Sequence, residues 1–97
     1  MLEKIIAVDI LAFGAHPDDV EMSAGATLAK EIAGGKTAGI VDLTRGELGT
    51  RGTPEIRRQE ALAAADVLGA SFRVNLDMAD GFFQNDIANQ LKVIEVL

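Results

Sequence analysis

The residues of this chain best suited to chemistry stand together, in Gly14-Ala15-His16-Pro17-Asp18-Asp19-Val20-Glu21. His16 is the single histidine, and two adjacent carboxylates follow it closely. Imidazole and carboxylate are nitrogen and oxygen donors for a divalent metal, and the lack of cysteine excludes thiolate sites and disulfides. These residues also have ordinary uses: an Asp pair ahead of a helix is a common N-cap, and a His beside a turn is often only hydrogen-bonded. If the backbone turns at Pro17, His16 and Asp19 point to one spot, with Asp18 beside it. Asp19 at the helix start would be kept ionised by the helix dipole, which suits a ligand. Asp18 could then hydrogen-bond a metal-bound water and take its proton.

The flanking elements must hold this cluster in place. Ile5 to Phe13 is a short, β-branched apolar run ended by Gly14, and it reads as a strand buried on both faces. From about Asp18 the period changes: Val20, Ala24, Leu28 and Ile32 line one face of a helix that stops at Gly34-Gly35. Thr37 to Leu43 forms a second strand, and Thr44 to Thr53 a glycine-rich loop. Thr53-Pro54 opens a second helix as N-cap and first helical residue, with Ile56, Ala63 and Val67 as apolar markers and Gly69 as its stop. Phe72 to Leu76 is a third strand. Asp86 or Asn85 caps a last helix through Ile87, Leu91, Ile94 and Leu97. Alternating strands and helices predict a parallel α/β sheet, which places ligands at the carboxyl ends of its strands. The loops 14–19, 44–53 and 77–85 leave those ends.

A net charge of −6 argues against nucleic acid or an anionic membrane surface as the main partner, since both need a basic face. No segment approaches the eighteen or so apolar residues of a membrane span, and the apolar start, interrupted by Asp9, does not read as a signal peptide. The cytoplasm is the expected location. The last helix has no capping glycine at its C-terminal end, and a three-stranded sheet leaves an uncovered edge. The expectations are that residues 1–97 are the N-terminal part of a longer single domain and that the chain self-associates as a homo-oligomer.

The Ala15–Glu21 stretch resembles the signature of the LmbE-like or PIG-L family of zinc N-acetylglucosamine deacetylases. The likeness continues through Gly25-Ala26-Thr27-Leu28-Ala29, Asp42-Leu43-Thr44-Arg45-Gly46-Glu47-Leu48-Gly49 and Arg57-Arg58-Gln59-Glu60-Ala61. Within the family the chain is most similar to the deacetylases of bacillithiol biosynthesis, which remove acetate from N-acetylglucosaminyl malate. The resemblance implies a Rossmann-like three-layer α/β sandwich with a mainly parallel sheet. It also implies Zn(2+) as cofactor, His16 and Asp19 as metal ligands, and Asp18 as general base. Arg57, Arg45 and Glu47 would lie on the substrate side, with Arg51 and Arg58 adding positive potential. The family's third ligand, a later His, has no counterpart here. The chain alone is therefore expected to bind zinc weakly and to lack activity.

The sequence also admits other readings. Arg57 and Arg58 could instead pair with Glu55 and Glu60 on the helix surface. Asp80-Gly81 reads first as a turn, with a substrate-facing Asp80 as the alternative. A magnesium-binding phosphoacceptor domain would also place acidic residues after strand one, with Asp77 or Asp80 as the further Asp, but it leaves His16 without a role. An inactive fragment of the deacetylase is the remaining possibility.

Overall fold

The computed structural model describes residues 4–46, 53–81 and 84–97. Its elements run β1 (Ile10–Gly14), α1 (Asp19–Ala33), β2 (Ala38–Thr44), α2 (Pro54–Leu68), β3 (Phe72–Met78) and α3 (Ile87–Val96). The strands form one parallel sheet in the order β1-β2-β3, so β2 is central. This is the α/β alternation expected from the sequence.

Strand pairing corrects the reading of the first apolar run. Pairing starts only at Ile10, opposite Ala38, the first residue of β2. Ile5 and Ile6 pair with no strand among the described residues and remain about half exposed, at 46% and 49%. Asp9 marks the boundary: its carboxylate accepts from the Thr37 amide (2.8 Å) and hydroxyl (3.1 Å), while its own amide donates to the Thr37 carbonyl. Burial on both faces belongs to β2, where Ala38 through Asp42 are all buried, whereas β1 has only one neighbour and is partly covered.

One face of the sheet, under α1 and α2, carries the main core. Val20, Leu28, Ala38, Ile40, Ala65 and Ala70 pack there with Ile10, Ala12, Ile32 and Leu68. α1 therefore uses the predicted stripe. α2 does not: it buries Ala61 and Ala65, leaving Ile56 and Val67 exposed at 46% and 87%. Small side chains at i and i+4 let this helix approach the sheet closely, which outweighs the pull of the larger apolar residues. Phe72 and Val41 are buried on the opposite face. The Phe72 ring occupies the space where a side chain at Gly39 would sit, so the registered pair Gly39–Phe72 fits only with glycine. Burying such a ring contributes roughly 1.5–3 kcal/mol.

Local capping follows the sequence closely. The Thr53 hydroxyl accepts from the Ile56 amide at the start of α2, and Gly69 closes that helix in the left-handed region at φ 84°. At α3 the cap is Asp86, which accepts from Asn89. The large apolar residues Ile87, Leu91 and Ile94 of α3 remain exposed, Ile87 at 73% and Ile94 at 60%. No helix among the described residues is long and apolar enough to cross a membrane.

Candidate active site

Thr44, the last residue of β2, holds together the loops that leave the strand ends. Its amide and hydroxyl both donate to the Ala15 carbonyl (3.0 and 2.9 Å), fixing the loop after β1. The same hydroxyl accepts from the Gly46 amide, and the Thr44 carbonyl accepts from the Asn75 side chain at 2.6 Å. Arg57 spans the two loops from α2. Its guanidinium donates to the Gly46 carbonyl (2.7 Å) and more weakly to that of Pro17 (3.5 Å), filling the space a Cβ at Gly46 would need. Arg57 thus clamps backbone here, in place of the surface salt bridge weighed above.

On this support sit His16, Asp18 and Asp19. Asp19 is the first residue of α1, and its Oδ2 accepts from the His16 amide at 2.9 Å while lying 3.3 Å from His16 Nδ1. Both nitrogens of the imidazole are engaged, because Nε2 lies 2.6 Å from Asp80 Oδ1. The Asp80 bond, joined by Asp19, raises the His16 pKa above its usual 6.5 against the opposing effect of partial burial. Asp80 is 5% exposed; it lies in the expected turn with Gly81 and also reaches His16. Its place in the loop after β3, at a strand's carboxyl end, was the available signal.

Asp18 occupies the N-cap position of α1 yet makes no side-chain cap bond, so capping does not explain it. Its backbone is left-handed at φ 92°, a conformation that costs a non-glycine residue on the order of 1 kcal/mol or more. Asp18 is exposed, and its carboxylate is not spent on capping the helix.

Among the described residues no group of three His, Cys, Asp or Glu side chains is arranged to hold a metal. The His16–Asp19 pair nonetheless fits one as a two-donor set. Two donors each about 2.0–2.1 Å from a tetrahedral zinc lie about 3.3–3.4 Å apart, and Nδ1 and Oδ2 are 3.3 Å apart.

The predicted substrate-side residues are distributed differently. Arg45 turns outward to Asp77 at 2.7 Å, in a largely exposed pair. Arg45 and Arg58 also line a pocket with Pro17 and Asn75, backed by Asp42 and Arg73. Glu47 and Arg51 lie outside the described residues.

A second charged cluster, unforeseen from the sequence, lies beneath the site. Arg73, 2% exposed, donates to both carboxylate oxygens of Asp42 (2.6 and 2.9 Å), to Glu21 (2.9 Å) and to the Ala61 carbonyl (3.1 Å). Burial would lower the Arg73 pKa, but these carboxylates raise it overall. Glu21, the last residue of the motif, therefore anchors α1 to the sheet. Its clue was a charged residue inside each of two apolar strands, Asp42 and Arg73.

The fold and site together define an α/β protein with a carboxylate–imidazole cluster at the carboxyl ends of its strands. Residues 11–97 match the model of the family described as PIG-L, GlcNAc-PI de-N-acetylase, and the chain belongs to that family of deacetylases. It is 41% identical over 71 residues to the Uncharacterized deacetylase YaiS of Escherichia coli, a match covering 73% of this chain and 38% of that protein. It is 40% identical over 70 residues to a 1D-myo-inositol 2-acetamido-2-deoxy-alpha-D-glucopyranoside deacetylase of Nocardioides sp., covering 72% of this chain and 23% of that protein. Among solved structures, the conserved protein TT1542 from Thermus thermophilus superposes with a TM-score of 0.83 at 45% identity, over 90% of this chain and 40% of that one. The chain thus spans less than half the length of these relatives. These matches give no support to the phosphoacceptor reading.

Proposed function

We propose that the chain provides the His16–Asp19 half of a zinc-dependent N-deacetylase site, acting on an N-acetylglucosaminyl substrate. The observation that carries this reading is the 3.3 Å approach of His16 Nδ1 and Asp19 Oδ2, with the neighbouring Asp18 exposed and making no cap bond. A metal held there would supply Lewis-acid polarisation of the acyl oxygen and of water. Asp18 takes a proton as a water oxygen bonds to the acetyl carbon, then returns it to the amine nitrogen as the C–N bond breaks. A positioned acid–base group of this kind contributes roughly 10²–10⁴-fold. The chain has one His and no Cys, so a third nitrogen or sulfur donor would come from outside these 97 residues.

Within the family, N-acetylglucosaminyl malate is the proposed substrate, on the strength of the extended likeness from Asp42 to Gly49 and from Arg57 to Ala61. A carboxylate-bearing aglycone suits the pocket lined by Arg45 and Arg58. Arg57, on the loop junction, and Glu47 remain the proposed sugar-side groups. A cytoplasmic location and self-association belong to the same proposal.

The test replaces the matching segment of the Nocardioides deacetylase with this chain and measures acetate release from that enzyme's own substrate. The expected outcome is a working chimera in which Asp18→Asn abolishes turnover while zinc stays bound. A folded, zinc-loaded chimera that keeps its turnover after Asp18→Asn overturns the assignment of the base.

A further inference from the structure

We infer that Asp80 is the positioning residue of this site: it takes the Nε2 hydrogen of His16, fixing the ring so that Nδ1, facing Asp19, is the metal-donor nitrogen. This rests on the metal-dependent reading above. Two distances separate the two sides of the ring. A shared tetrahedral metal sets its donors about 3.3–3.4 Å apart, which matches Nδ1–Oδ2 of Asp19 at 3.3 Å but not Nε2–Oδ1 of Asp80 at 2.6 Å. The latter is the length of a short, charge-assisted hydrogen bond.

Burial gives the same answer independently. The Asp80 side chain is 6% exposed, against 44% for His16 and 42% for Asp19. A metal displaces one ring proton and leaves the other. Losing the Nε2 hydrogen would set a buried carboxylate against a nitrogen lone pair, a costly arrangement in a poorly solvated place. The Nδ1 proton faces the more accessible carboxylate and is the one to leave. Asp80 lies 64 residues from His16, so this contact also ties the loop after β3 to the loop after β1. Metal-bound imidazoles commonly have such a carboxylate on the second nitrogen, and its loss typically weakens metal affinity by about 10–100-fold.

His16 is the only histidine, so ¹⁵N-histidine labelling of this chain reports on one ring without assignment. On zinc titration Nδ1 is expected to move to a metal-bound shift while Nε2 keeps its proton. Asp80→Ala should weaken zinc binding about 10–100-fold, and Asp80→Asn, which retains a neutral acceptor, should recover much of it. Zinc on Nε2, or undiminished affinity in Asp80→Ala, overturns the inference while leaving the metal reading in place. Absence of any zinc-dependent change at His16 in the native chain overturns both. The native-chain nitrogen assignment needs no variant, so it decides the matter even if Asp80→Ala fails to fold.

Discussion

Two charged clusters lie close together beneath and above the carboxyl end of this sheet, and they are built by opposite rules. Around Arg73 every group is buried or nearly so, and four hydrogen bonds run to Asp42, Glu21 and the Ala61 carbonyl. No buried side-chain polar atom among the described residues lacks a partner. Around His16 the ring and Asp19 are nearly half exposed and only Asp80 is buried, Asp18 holds a left-handed backbone, and its carboxylate makes no cap bond. The first cluster uses its charge to hold α1, β2 and β3 together. The second leaves binding capacity open. The motif divides between them: Glu21 serves the lower cluster, while His16, Asp18 and Asp19 serve the upper.

The largest effect should come from breaking the lower cluster. Arg73→Ala strands two carboxylates and should cost about 3–5 kcal/mol, a large part of the roughly 5–15 kcal/mol that holds a domain. Urea denaturation would measure it. Pairing Arg73→Met with Asp42→Leu and Glu21→Gln should restore much of the loss, because apolar replacement of a whole buried ion cluster is often tolerated. If Arg73→Ala alone leaves stability unchanged, the cluster is not structural and the contrast fails.

His16→Ala should reverse that pattern. Zinc binding, read by calorimetry, should vanish, while the metal-free chain loses about 1–3 kcal/mol, the cost of leaving the buried Asp80 carboxylate without its His16 partner and less than that of Arg73→Ala. A loss comparable with that of Arg73→Ala would make the upper cluster a second structural anchor.

What could be read from the sequence divides along the same line. The order of elements, the Thr53 cap, the Gly69 stop and the Asp86 cap depend on neighbours within a few residues, so local pattern reveals them. The pairing of His16 with Asp19 is also local, three positions apart. Asp80 reaches His16 across 64 residues and Arg73 reaches Asp42 across 31, separations that no local pattern encodes. Thr44 looked like the first residue of a loop, since only the parallel pairing of three strands makes it their common tie. The α2 face was misread because its buried residues are alanines, which carry little hydrophobic signal. β1 was drawn too long because apolar character does not show where a partner strand begins.

Asp18 offers a smaller and more specific test of the contrast. Replacing it with Gly relieves the left-handed backbone at φ 92°. Thermal or urea unfolding should show a gain of about 0.5–1 kcal/mol, net of glycine's greater unfolded-state entropy. In the chimeric deacetylase the same change should remove turnover. Stability gained where activity is lost would mark this residue as held in strain for function. A loss of stability would show that the carboxylate supports the fold after all.

The smallest effect is expected at the opposite end of the sheet, where charge is hydrogen-bonded but fully solvated. Asp9 binds the Thr37 amide and hydroxyl where β1 meets β2, and these bonds hold its carboxyl below the usual 3.8. A depressed carboxyl adds stability that is fully present above its unfolded value and is lost as pH falls through the lower folded value. The native chain should therefore lose a small increment of stability below about pH 4, and Asp9→Asn should flatten that part of the curve while leaving neutral-pH binding of zinc unchanged. Acid titration followed by circular dichroism in both proteins measures it. Burial explains why this contribution ranks last: the Arg73 cluster cannot exchange its partners for water, whereas Asp9 can. A steep acid transition that Asp9→Asn removes would show that solvated hydrogen bonds at the strand entry hold this sheet as firmly as the buried arginine.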